Sequence, residues 1–141
     1  MCRVLFNAYG HQNIVGEHKT TVELTSEDYL SPRGTCIIGV RADLTLNELD
    51  AEFKRLALLG TTTIVLKMSV DGLVEEVTGI GGPGLTYSDP ISMVARTSSY
   101  ECGRTLMINA DKAASDLSRT FVGKLKDTSV VIDCELIFST Q

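Results

Sequence analysis

Residues 38–56, IGVRADLTLNELDAEFKRL, align without a gap on residues 106–124, LMINADKAASDLSRTFVGK. Ala42-Asp43 falls on Ala110-Asp111, Leu49 on Leu117 and Phe53 on Phe121. In the same register Ile64 meets Ile132 and Met68 meets Leu136. Apolar residues at three- and four-residue steps mark an amphipathic helix, and strict alternation marks a strand. The shared register therefore runs from strand through helix into strand, twice, as expected of an internal structural repeat.

In the first copy Thr45 and Glu48 have the spacing of a capping box, and Leu44 can staple to Leu49. Leu46, Leu49, Phe53 and Leu56 form a buried stripe. Lys54 and Arg55 suit the negative end of the helix dipole, and Gly60 ends the helix. In the second copy Asn109 is the expected N-cap. Ala110, Ala113, Ala114, Leu117, Phe121 and Leu125 are its buried stripe.

Alternating residues predict strands at 3–9, 17–25, 35–42, 62–70, 73–79, 91–98, 104–108 and 128–138. Asp71-Gly72 is a two-residue hairpin signal. That hairpin sets Lys67 opposite Glu76 on the exposed face, and Glu75 opposite Met68 on the inner face. An inward Glu75 demands either a sheet end or a bulge. Each half then reads strand–strand–strand–helix–strand. The expectation is one α+β domain, 1–141, built from two βββαβ repeats, 1–71 and 72–141. About eight mainly antiparallel strands make a barrel or a two-sheet sandwich, covered by two helices.

The composition is ordinary for a globular chain, with 43% hydrophobic and 22% charged residues. A formal charge of −5 argues against a general nucleic-acid binder. The apolar runs are far shorter than the ~18–20 residues that span a bilayer. The N-terminus MCRVLFNAYGHQN lacks the apolar core of a signal peptide, so a cytoplasmic protein is expected. Cys2, Cys36, Cys102 and Cys134 show no paired spacing. Reduced thiols and no metal site follow from that.

Residues 10–25, GHQNIVGEHKTTVELT, hold both histidines, His11 and His18, with Asn13 and Thr20 beside them. Histidine titrates near neutral pH, which makes His11 and His18 the candidate catalytic groups. On a strand from residue 17, His18 and Thr20 share the inward face of Val22 and Leu24, and Glu23 faces the other way. A metal set of His18 with Glu23 is therefore disfavoured. Arg104, Asn109 and Lys112, with Asp111, cluster around the expected start of the second helix. Backbone N–H groups there favour an anion. The glycine loop GIGGPG, 79–84, lacks a following Lys-Ser/Thr and reads as a connection rather than a phosphate loop. Cys102 has Arg104 nearby, yet a lone loop cysteine carries little.

Two function classes follow. The first is a small-molecule-binding protein or enzyme for an anionic or phosphorylated ligand, held between the repeats by Asn13, Thr20, Arg104, Asn109 and Lys112. The second is a non-catalytic assembly or interaction module, homo-oligomers included. The residues name neither a reaction nor a cofactor. GHQNIVGEHKTTVELT, RGTCIIGVRAD and RTLMINADKAASDL together resemble the uncharacterised archaeal domain-of-unknown-function family 371. The resemblance covers nearly the whole chain. It implies an archaeal cytoplasmic origin and brings no chemistry.

Overall fold

In the computed structural model, which describes residues 1–140, the first half runs β1 (Cys2–Tyr9), β2 (Thr21–Thr25), β3 (Ile37–Gly39), α1 (Ala51–Ala57) and β4 (Thr62–Val70). The second half repeats the order as β5 (Leu73–Ile80), β6 (Ser92–Arg96), β7 (Thr105–Met107), α2 (Arg119–Lys124) and β8 (Val131–Thr140). One sheet has the order β1-β8-β4-β5 and is wholly antiparallel. The other has the order β3-β2-β6-β7. Its central pair is antiparallel, and its edge strands run parallel to their neighbours.

Each sheet is centred on one antiparallel pair. β4 and β8 are paired around Lys67 opposite Glu135, and β2 and β6 around Glu23 opposite Val94. Equivalent strands of the two halves thus meet at the centre of each sheet. The sheets touch at both edges through single bridges, Tyr9 to Val40 and Ile80 to Ile108. This is a two-sheet sandwich, not a closed barrel. The edges of β1 and β5 are further pinned where Asp43 and Asp111 accept the N–H groups of Asn7 (2.8 Å) and Thr78 (2.9 Å).

The helical regions differ from the sequence expectation. Residues 45–60 do not form one helix. A 3₁₀ turn at Leu46–Glu48 is followed by extended Leu49, and α1 then starts afresh at Asp50. Asp50 is a second N-cap, accepting from the N–H groups of Glu52 and Phe53. The second half does the same with a turn at Ala114–Asp116 and a cap at Ser118. Asn109 therefore caps no helix. It sits at φ +51, as its counterpart Arg41 sits at φ +52, where the chain leaves the sheet. The stripe residues are nevertheless buried, because the turn and the short helix present the same side to the core.

The strand boundaries shift in one place that matters. β2 begins at Thr21, so residues 17–20 lie outside the sheet. The hairpin at Asp71-Gly72 has the expected register, including Lys67 opposite Glu76 and Glu75 opposite Met68. Glu75 is the sheet-end carboxylate: it accepts from Lys112 Nζ (3.0 Å) and from the N–H of Ser118. One core fills the sandwich, and Phe138 at its centre stacks edge-on against both Phe53 and Tyr87. Among the described residues no helix is long and apolar enough to cross a membrane.

Candidate functional site

Residues 10–18 lie along α2 rather than over a shared mouth. The N–H of His11 donates to Leu125 O (2.9 Å), just past the C-terminal end of α2. Lys126 Nζ donates to Ile14 O (2.6 Å), and Arg119 donates to Gly16 O (3.0 Å). His18 O accepts from the N–H of Ser115 (3.0 Å) in the second 3₁₀ turn. His11 and His18 are thus anchored at opposite ends of the second helical unit.

Both imidazoles hold backbone. His11 Nδ1 accepts from the N–H of Asn13 (3.0 Å), whose own side chain donates to Leu30 O (2.8 Å). His18 Nδ1 accepts from the N–H groups of Thr20 and Thr21, each at 3.2 Å. An accepting Nδ1 leaves the ring proton on Nε2. At the matching corner of the second half, Asp89 Oδ1 accepts from the N–H groups of Ile91 and Ser92, each at 2.8 Å. His18 and Asp89 therefore do one job, closing the turn that feeds the central strand of the sheet. His18→Asn, which keeps an acceptor at this reach, should leave stability nearly unchanged, and His18→Ala should cost about 1–2 kcal/mol. Urea denaturation of the two variants tests this; equal losses would sink the turn-closing role.

The other sequence candidates are dispersed. Thr20 is exposed, and its carbonyl accepts from both the N–H and the hydroxyl of Thr97. Arg104 is exposed at the entrance of β7. Lys112 is engaged by Glu75 at the far edge of the other sheet. The glycine loop is filled by its own chain: Glu101 accepts from the N–H of Gly84 (2.6 Å), and the N–H groups of Gly81 and Gly82 go to Thr62 and Ala57 carbonyls.

Because β2 starts late, His18 Nδ1 also reaches Thr21 Oγ1 at 3.0 Å. Thr21 lies on the same strand face as Glu23. Cys36 Sγ donates to Glu23 Oε1 at 3.4 Å, and Glu23 is only 8% exposed. Burial, reinforced by the neighbouring Glu23 charge, pushes the Cys36 thiol up to about 11, so it is a protonated donor rather than a nucleophile. Burial also raises Cys102, but hydrogen bonds from Thr105 and Arg96 outweigh it and bring that thiol below its ordinary value. All four cysteines are free, and among the described residues no three His, Cys, Asp or Glu side chains converge on a metal position.

A concavity lies at the other helical junction. A cleft of about 430 Å³ is lined by Ser26, Ala42, Asp43, Thr45, Asn47 and Glu48 of the first half and by Pro90 of the second. Its floor is built by the capping box. Glu48 Oε1 accepts from the N–H (2.8 Å) and the hydroxyl (2.9 Å) of Thr45, and the Thr45 hydroxyl also contacts Asn47 Oδ1. Lys54 Nζ ties down Asn47 O at 2.8 Å. The Asp89-Pro90 corner closes one wall, with Asp89 O accepting from the N–H of Asn47 (3.4 Å). The contact of Asn47 N–H with Asp89 O has a counterpart where the N–H of Ser115 donates to His18 O. The second junction has Ala113 in place of Thr45 and Lys19 in place of Pro90. In the sequence the histidine points to the second junction, and Thr45 and Glu48 read only as a cap. The signal that could have found the cleft is Thr-x-Asn-Glu, which packs more polar groups than a cap needs.

A family model described as Domain of unknown function (DUF371) matches residues 6–139. An uncharacterised protein of Methanocaldococcus jannaschii is 43% identical over 128 residues, which cover 91% of this chain and 94% of that protein. With the match running from within β1 to within β8, the chain belongs to the DUF371 family.

Proposed function

We propose that this protein binds a small polar ligand in the cleft between its two halves. The observation that carries the reading is the cleft itself, with hydroxyl, amide and carboxylate groups from one half facing the Asp89-Pro90 corner of the other. Asp43 and Glu48 make its lining acidic. The phosphorylated ligand expected from the second helix start suits this lining poorly, since a carboxylate opposes an anion. Amine or hydroxyl groups suit it well, because Asp43 bonds Asn7 through Oδ1 and Glu48 bonds Thr45 through Oε1, and among the described residues the second oxygen of each carboxylate is left as an acceptor. The four free thiols suit a reducing cytoplasm.

A thermal-shift series tests the reading with a polyol, a primary amine, a sugar phosphate and inorganic phosphate as probes. The first two should raise Tm, by the equivalent of about 2.7 kcal/mol at a hundred times Kd. Ser26→Leu fills the cleft from a position whose fold contact is its backbone N–H to Ile91 O. It should abolish the shift and leave the unliganded Tm in place. A shift that survives Ser26→Leu, or one given only by the phosphates, would overturn the reading.

A further inference from the structure

The cleft is poor in donors. Ser26 gives its N–H to Ile91 O, Ala42 to Thr25 O and Asp43 to Asn7 O. Thr45 gives its N–H to Glu48 Oε1, Asn47 to Asp89 O and Glu48 to Thr45 O, while Pro90 has none to give. Every backbone N–H of the lining is thus spent inside the protein. The single hydroxyl hydrogen of Thr45 is held between Asn47 Oδ1 and Glu48 Oε1. What remains for a ligand is the second carboxylate oxygen of Asp43 and of Glu48, with the Ser26 hydroxyl and the Asn47 amide beside them. Asp43 and Glu48 are exposed, so a ligand reaches them from solvent.

The cleft is also short of positive charge. Among the described residues the ion pairs join Arg3 to Glu135, Arg55 to Glu52 and Lys112 to Glu75. Neither Asp43 nor Glu48 takes part in one. Lys54, tied to the same turn, gives its Nζ to Asn47 O (2.8 Å). The groups that bond the two carboxylates, the N–H of Asn7 and the N–H and hydroxyl of Thr45, are neutral. Ligand classes separate on this lining. An anion meets like charge and finds no backbone N–H. A hydroxyl brings an acceptor with its donor, and its oxygen finds few hydrogens here. A calcium-like ion needs roughly six or more oxygens around it, and among the described residues no three His, Cys, Asp or Glu side chains converge on such a position. An alkylammonium group is donor only and carries the missing charge. The Pro90 ring and the Ala42 methyl give its carbon chain an apolar wall.

Resting on the reading of the cleft as a ligand site, we propose that its ligand is a small aliphatic primary amine in the ammonium form, with Asp43 and Glu48 as its counter-charges. Calorimetric titration of the intact protein, at neutral pH and low salt, tests it with n-butylamine, n-butanol, glycerol and tetramethylammonium as probes. n-Butylamine should bind at least about tenfold tighter than any of the others. Tetramethylammonium has the charge without N–H donors, and n-butanol has the chain without the charge. Glu48→Gln keeps an acceptor for the Thr45 N–H, as a capping box allows. Its Tm should hold while the n-butylamine Kd rises at least about tenfold. Asp43→Asn should act alike, because its amide oxygen still accepts from Asn7. Glycerol binding as tightly as n-butylamine, with both lost in Ser26→Leu, overturns the ammonium assignment and leaves the cleft a ligand site. So does n-butylamine binding that is lost in Ser26→Leu but indifferent to Glu48→Gln and Asp43→Asn. Binding that survives Ser26→Leu, or no binding of any probe, overturns both.

Discussion

Gly10→Ala is expected to destabilise the protein by more than about 3 kcal/mol, a large part of the ~5–15 kcal/mol that holds a typical domain folded. A Cβ at Gly10 would stand 2.1 Å from Asp127 O, 2.5 Å from Leu125 O and 2.8 Å from Val130 Cγ2. Two of these three atoms are main-chain carbonyls at the end of α2, which no rotamer change can move aside. The contact cannot simply open, because the N–H groups of Gly10 and His11 bond Val130 O and Leu125 O there. The other half has the same joint: a Cβ at Gly81 would lie 2.5 Å from both Ala57 O and Leu59 O. Each joint fastens the end of an edge strand to the helix of the opposite half, so Gly81→Ala should behave alike. Gly123→Ala is the control. It lies within α2 with nothing near its would-be Cβ, and should stabilise by about 0.5–1 kcal/mol. Urea titrations of the three variants decide it. A Gly10→Ala protein within about 1 kcal/mol of wild type would refute the clash.

How far the fold could be read from sequence depended on the range of the interaction that fixed each element. β4, the Asp71-Gly72 turn and β5 follow from alternation and a local turn signal, and their register is the expected one. The helical stripes were legible because burial of Leu46, Phe53, Leu117 and Phe121 depends only on which side they present. The break before each α-helix was not, because Asp50 and Ser118 compete with Thr45 and Asn109 as caps, and pattern alone does not rank them. Glu75 looked like a conflict until Lys112 and Ser118 arrived from more than thirty residues away. The same limit governed the site. The alternation sets His18 on a strand face only if β2 starts at residue 17; β2 starts at Thr21, and the ring turns back to close the chain. Parallel pairing of β2 with β3 left no trace in either strand.

Phe138→Ala should cost about 3–5 kcal/mol, the range for deleting a fully buried aromatic. Phe138 has no exposed surface, and its ring centroid lies 5.1 Å from Phe53 and 6.2 Å from Tyr87, edge-on to both. The cavity cannot fill by side-chain drift, because Tyr87 is held at φ +51 and its hydroxyl donates to Leu106 O at 2.7 Å. Phe53 is matched by Phe121 in the other half, but Val70 and Gly16 stand at the positions matching Phe138 and Tyr87, so these two rings lie on one side of the core only. That side carries the cleft: Tyr87 leads directly into the Asp89-Pro90 corner, and Phe53 belongs to the helix that follows Thr45, Asn47 and Glu48. The expected result is therefore twofold. Phe138→Leu, which keeps most of the volume, should lose about 1–1.5 kcal/mol and retain ligand binding. Phe138→Ala should lose about 3–5 kcal/mol and, under conditions where it is still folded, bind the cleft probe more weakly than wild type. Urea denaturation with probe titration on both variants separates the two effects. A folded Phe138→Ala protein with unaltered affinity would show that the aromatic group holds the core without shaping the cleft.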